Sequence, residues 1–132
     1  MTALDVRRLL DEYRAAWLAH DIERVVALVG DDVVYENLTT GVHAEGRDAF
    51  RAHVVETHEH WPGFTFDEHA FYVAGDTGVS EWTARVTAPD GRRLEWDGVD
   101  IVTCRDGRVV RNAVYSTAHA PRSLPEGRRS AR

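Results

Sequence analysis

The stretch from Gly78 to Ala118 constrains the fold more than any other part of the chain. GVSEWTARVTAPDG, RRLEWDGVDIVTCRDG and RVVRNAVYSTA are three strand-like runs separated by the turn sequences PDG and RDG. Strands joined this closely pair antiparallel. The first forty residues supply helices to lie against them. Thr2 and Asp5 have the form of a capping box, and Val6, Leu9, Leu10, Tyr13, Trp17 and His20 follow at helical spacing. Asp21 then caps a second, short helix from Ile22 to Val29, stopped by Gly30.

Between these two regions, Val33 to Leu38 reads as a strand with Val33, Tyr35 and Asn37 on one face. Residues 41–46 read as a loop, and Arg47 to His60 as a third helix whose Phe50, Val54 and Thr57 share a face. Trp61-Pro62-Gly63 ends that helix, and a strand runs from Phe64 to Val73 before the GDTG turn. The order ααβαββββ is α+β. It predicts a cup: a curved antiparallel sheet wrapped by three N-terminal helices. Residues 1–119 form one domain, and 120–132, with two prolines and no apolar period, read as a flexible tail.

Charge narrows the function. A net charge of −6 argues against nucleic acid or an anionic membrane as partner, because both require clustered positive charge. The sixteen basic residues are all arginine, so there is no lysine to form a Schiff base. Cys104 is the sole cysteine, which excludes an intramolecular disulfide and a cysteine-rich metal site; it is expected to be a buried side chain. No apolar leader or run of membrane-spanning length is present, so a reducing, cytoplasmic setting is expected.

YRAAWLAHDIERVVALVGDDVVYEN, then GRDAFRAHV, the EW strand and WDGVDIV followed by DGRVVR together resemble the nuclear transport factor 2-like superfamily. Ketosteroid isomerases, limonene-epoxide hydrolases and SnoaL-type polyketide cyclases belong to it. The resemblance covers roughly residues 3 to 118. It implies a conical cup, a cystatin-like α+β barrel whose curved antiparallel sheet has a mixed edge, with a deep apolar pocket, and frequent dimers packed through the outer sheet. It does not imply one reaction, because such scaffolds host many.

Compared with ketosteroid isomerases, Tyr13 stands at the oxyanion-hole tyrosine and Asp100 at the protonated oxyanion-hole aspartic acid, while the general-base aspartate falls on Asn37. An amide cannot take up that proton. Compared with limonene-epoxide hydrolases, Tyr35-Glu36-Asn37 matches the Tyr-x-Asn pair that positions the attacking water. The strand-borne Arg and Asp of those enzymes fall on Trp82 and Ala84, and their last-strand aspartate falls on Ser116.

Both comparisons leave a polar set, Tyr13, Tyr35, Asn37 and Asp100, on walls of Trp17, Phe50, Val54, Trp61, Trp82 and Trp96, with Ser116 at the end of the last strand. If Asp100 points inward, so do Leu94, Trp96, Gly98 and Val102, while Glu95, Asp97, Val99 and Ile101 face out. Desolvation in an apolar cup would then hold Asp100 neutral, as an acid. The alternative is a strand residue paired to an arginine such as Arg85 or Arg111. Asn37 is likewise either a pocket group or a turn former before Thr39-Thr40-Gly41.

His43, His53, His58, His60 and His69 crowd one region without an HExxH pattern, and are expected to form a polar, solvated helix surface rather than a metal site. His53 alone is placed to reach the cup mouth and supply the base that Asn37 lacks. The leading reading is a cofactor-independent enzyme that cyclises or isomerises a small apolar, oxygenated substrate. Epoxide opening by a Tyr/Asn-held water is the second, and a non-catalytic binding or dimerisation module the third. A homodimer through outward Val99 and Ile101, with Val109 joining them, is expected in each case.

Overall fold

The computed structural model describes residues 1–125. Its elements are α1 (Ala3–Leu18), α2 (Ile22–Ala27), β1 (Val29–Asn37), β2 (His43–Glu45), α3 (Arg47–His60), β3 (Thr65–Ala74), β4 (Thr77–Thr87), β5 (Arg93–Arg105), β6 (Arg108–Ser116) and β7 (Arg122–Leu124). The described strands form one seven-stranded sheet in the order β2-β1-β6-β5-β4-β3, with β7 paired to the start of β5. β1 runs parallel to β6 and every other pairing is antiparallel. This is the expected α+β cup with its mixed edge.

Helix α1 starts where its capping box places it. Thr2 Oγ1 accepts from the Asp5 amide and Asp5 Oδ2 from the Thr2 amide, and Val6, Leu9, Leu10, Tyr13 and Ala16 form its buried stripe. His20 breaks the helix in the left-handed region (φ 56°) and Asp21 caps α2 as expected. α2 is two residues shorter than the spacing predicts. Leu28 O accepts the Val109 amide and Val29 registers with Val109, so β6 draws this segment into β1 one turn early.

Two further strands were not expected. His43–Glu45, within the stretch read as a loop, pairs with Val34–Glu36, and Arg122–Leu124, within the stretch read as a tail, pairs with Arg93–Glu95. Residues 126–132 of that stretch lie outside the described residues. α3 keeps its predicted bounds, but its buried stripe is Phe50, Val54 and His58 rather than Phe50, Val54 and Thr57. Asp106 and Gly107 both have positive φ (53° and 77°), the backbone of a tight hairpin turn, and so fix the β5–β6 register.

The main core joins α1, α2 and α3 to the inner faces of β1, β5 and β6, and Val6, Val25, Val33, Phe50, Val54 and Cys104 are fully buried within it. Burial pushes the Cys104 thiol up to about 11, which leaves it unreactive. A second apolar cluster of Val86, Ala88 and Leu94, backed by Trp61, Phe64 and Trp96, lies toward the other end of β5. Val109 is buried in the core, because its pairing with Val29 seats it under α2; it does not join the outer face. No described helix is long and apolar enough to cross a membrane.

Candidate active site

Helices and sheet do not close completely on one another, and between the two cores they leave a cavity of about 680 Å³, a size that suits a small organic ligand. Tyr13 and Trp17 of α1, Tyr35 and Asn37 of β1, His53 of α3, and Trp61, Trp82, Trp96 and Asp100 all line it. The sheet and helix patterns thus bring most of the expected set together. Phe50 and Val54 do not line it. They are fully buried on the core stripe of α3, and the cavity meets the helix flank about a quarter-turn away, at Ala49, Ala52, His53, Glu56 and Thr57.

Ser116 does not line it either. Its amide and carbonyl both bond Thr39 Oγ1, and its hydroxyl accepts from the Ala118 amide, beside a shallow depression on the outer face with Asp97, Tyr115 and Thr117. That hydrogen bonding ties the strand end to the β1 turn.

Asp100 points into the cavity, as alternation along β5 predicts, with Leu94, Trp96 and Val102 on the same side. Among the described residues no arginine is paired with it. Arg85 pairs with Asp67 and Glu95, and Arg111 with Glu36, so the ion-pair reading of Asp100 fails. Its Oδ1 instead accepts from the Trp82 indole at 3.1 Å. Gly98 makes that contact possible, because a Cβ there would come within 2.3 Å of the Trp82 ring. Burial pushes the carboxyl up to about 7; the Trp82 and Asn112 side chains hold it back, and the Glu68 charge adds to the rise. Asp100 therefore exchanges its proton near neutrality.

His53 stacks on Tyr35 with ring centroids 4.2 Å apart. Burial lowers its pKa against the opposing pull of Glu56, so the imidazole is neutral and free to accept a proton. Burial raises the Tyr35 pKa, with the Asp100 charge adding to it, and burial likewise raises Tyr13. Both phenols therefore keep their protons. Asn37 fills both roles left open by its sequence: it lines the cavity, while its Oδ1 accepts the Thr39 and Thr40 amides at 3.1 Å each in a side-chain-closed turn. Its carbonyl lone pairs are thereby committed.

Sequence reasoning missed three groups. Asn112 of β6 is 1% exposed, lines the cavity and accepts the Tyr13 hydroxyl at 2.8 Å through Oδ1. Ser80, the cross-strand partner of Asp100, also lines it and donates to Glu68 at 2.7 Å, and Arg14 bridges to the same carboxylate oxygen at 2.5 Å. Alternation from Trp82 and Val114 marks Ser80 and Asn112 as inward. Nothing local marks the Arg14–Glu68 pair, which joins residues 54 apart.

Of the histidines expected on a solvated surface, His43, His60 and His69 are exposed, and His53 and His58 are not. His58 shares the Phe50–Val54 stripe, is 7% exposed and stacks on His20 at 4.1 Å, and His53 faces the cavity. Among the described residues no three His, Cys, Asp or Glu side chains are placed to hold a metal ion.

A family model of the SnoaL-like domain matches residues 10–112. The chain belongs to the SnoaL-like domain family. Solved structures agree on the fold of this SnoaL-like domain. An LEH-like epoxide hydrolase of M. tuberculosis superposes with a TM-score of 0.76 at 21% identity, over 88% of this chain and 85% of the other. SalBIII, an epoxide hydrolase/cyclase-like enzyme of pyran ring formation in the polyether salinomycin, gives 0.80 at 17% identity over 90% and 95%. A protein with a ketosteroid isomerase-like fold from Catenulispora acidiphila, solved with trimethylamine, gives 0.74 at 16% identity over 81% and 83%. No curated protein sequence matches the chain.

Proposed function

We propose that this SnoaL-like domain is a small-molecule enzyme that moves protons on an apolar, oxygenated substrate, cyclising or isomerising it with its own side chains alone. One observation carries the reading: Asp100 sits in the cavity wall with the Trp82 indole as donor and, among the described residues, no cation paired to it, and burial pushes its carboxyl up to about 7. Enclosure in an apolar cavity favours the neutral acid, whose O–H then donates to a substrate carbonyl oxygen. The neutral His53 imidazole takes a proton from the adjacent carbon as Asp100 gives its own to the oxygen, and an enol forms. The O–H proton then returns to Asp100, while the imidazolium proton goes either to another carbon of the conjugated enol or to the oxygen of a second carbonyl that the enol carbon attacks. Trp17, Trp61, Trp82 and Trp96 bind the apolar body and keep out water.

The kinship with epoxide-opening enzymes supports a second reading, in which the same Asp100 acid protonates an epoxide oxygen. The attacking water is its weak point. Such a water must donate to acceptors, and Asn37 Oδ1 has already accepted two backbone amides. Mass spectrometry of a ketone panel in heavy water tests the first reading. Deuterium uptake at the carbon next to the carbonyl, lost in Asp100→Asn and reduced in His53→Leu, is the expected result; no uptake by any ketone alongside hydrolysis of epoxides would replace it with the second.

A homodimer is part of the proposal. Val99 stands opposite Tyr115 on the outer face, and Ile101 continues the apolar row. Light scattering should return twice the chain mass at micromolar concentration, and a monomer would refute it.

A further inference from the structure

In the family comparison Tyr13 is the donor to the reacting oxygen, but here its hydroxyl proton is spent on Asn112 Oδ1. That leaves the Asn112 amide nitrogen. Asn112 is 1% exposed and lines the cavity, and its Nδ2 has no hydrogen-bond partner among the described residues. An unmet buried N–H is costly, by an amount comparable to several ordinary hydrogen bonds, unless something that enters the site accepts it. Its position is also fixed. β6 lies between β1 and β5, where Asn112 registers with Tyr35 on one side and Val102 on the other, so the backbone cannot shift to relieve the amide.

Asp100 stands diagonally across from Asn112, because its own partner on β6 is Val114, two residues on along the same face. The Asn112 side chain is close enough to that carboxyl to help hold its pKa down, although its Nδ2 is not within hydrogen-bond distance of it. Two donors, one acidic O–H and one amide N–H, therefore border the same part of the cavity. We propose that Asn112 is the second donor to the substrate oxygen, and that Tyr13 is a positioning residue that fixes the Asn112 amide with its nitrogen facing the ligand. The site then suits an oxygen with two in-plane lone pairs, a carbonyl that becomes an enolate or a phenolate. The inference rests on the proposed acid role of Asp100.

4-Nitrophenol is the probe, because its phenolate absorbs visibly and carries the same kind of oxygen. Binding to the intact protein at pH 6 is followed by absorbance and by the side-chain amide signals of Asn112 in a nitrogen-15 spectrum. Phenolate binding should move the Asn112 amide protons downfield. Asn112→Leu should bind roughly 10- to 100-fold more weakly, the range for a hydrogen bond to a charged group. Tyr13→Phe should weaken binding less, shrink the amide shift, and add nothing on top of Asn112→Leu.

Phenolate bound to the wild type with the Asn112 signals unmoved overturns the inference, and this result needs no variant to fold. Equal binding by wild type and Asp100→Asn overturns the acid role alone, leaving the amide signals to judge Asn112. No binding to the wild type overturns both.

Discussion

β5 carries two aspartates three residues apart in opposite surroundings. Asp97, on the outer face, accepts the Thr83 hydroxyl at 2.7 Å and two nitrogens of Arg122 at 2.8 and 3.2 Å. Asp100, on the inner face, accepts from the Trp82 indole and has the Asn112 side chain nearby, both neutral. Glu95, next to Asp97 in outward register, is 4% exposed and is held by Arg85 and Arg122. The outer face spends its carboxylates on ion pairs that hold β7 against β5. The inner face leaves one carboxyl without a cation, and that is the group whose proton is mobile near neutral pH.

The sharpest way to break this contrast is to neutralise each aspartate in turn. Asp100→Asn should lower turnover about 10²- to 10⁴-fold, the range for a lost acid–base group, with the protein still folded. Asp97→Asn should leave turnover within about twofold, the level of change expected away from such features. Equal losses in steady-state kinetics would erase the distinction.

Stability against pH gives the next largest effect. Asp100 holds its proton up to about pH 7 when folded but only to about 3.9 when unfolded. Between those values the folded state binds more protons, so this group's contribution to stability falls as pH rises through that window. Asp100→Asn removes the penalty. Its melting temperature should match that of the wild type near pH 4 and exceed it at pH 8, by a difference equivalent to roughly a few kcal/mol.

Arg85→Met tests the outer face. It removes one of the arginine partners of buried Glu95 and leaves Arg122, and should cost roughly 2 kcal/mol in urea unfolding, less than full loss of a buried pair, while turnover is unchanged. Gly98→Ala is the mildest. Its methyl group must displace the Trp82 ring, costing about 1 kcal/mol. Because the Trp82 hydrogen bond lowers the Asp100 pKa, the pH–rate profile should move to higher pH.

The division between the two faces of β5 was legible in the sequence, because a two-residue alternation anchored at Asp100 assigns every side chain once one is placed. The helix caps were equally legible, since Thr2, Asp5 and Asp21 act within their own turns. The starts and ends of β1, β2 and β7 were not, because each is set by a partner strand far away in sequence. The same limit hid Arg14–Glu68. The misplacement of Phe50 and Val54 has a different source: an apolar helix stripe marks the face turned to the core, and here the cavity runs along the flank beside it. Asn112 was within reach of the same alternation that found Asp100, and its neutral side chain gave no reason to single it out.

The central claim is that Asp100 is a neutral acid poised near physiological pH. Carbon-13 NMR of labelled aspartate side chains, titrated from pH 3 to 9 with Asp100→Asn for assignment, tests it directly. A carboxyl midpoint near 7 that disappears in the variant is the predicted result, and a midpoint near the ordinary aspartate value of about 4 would contradict it.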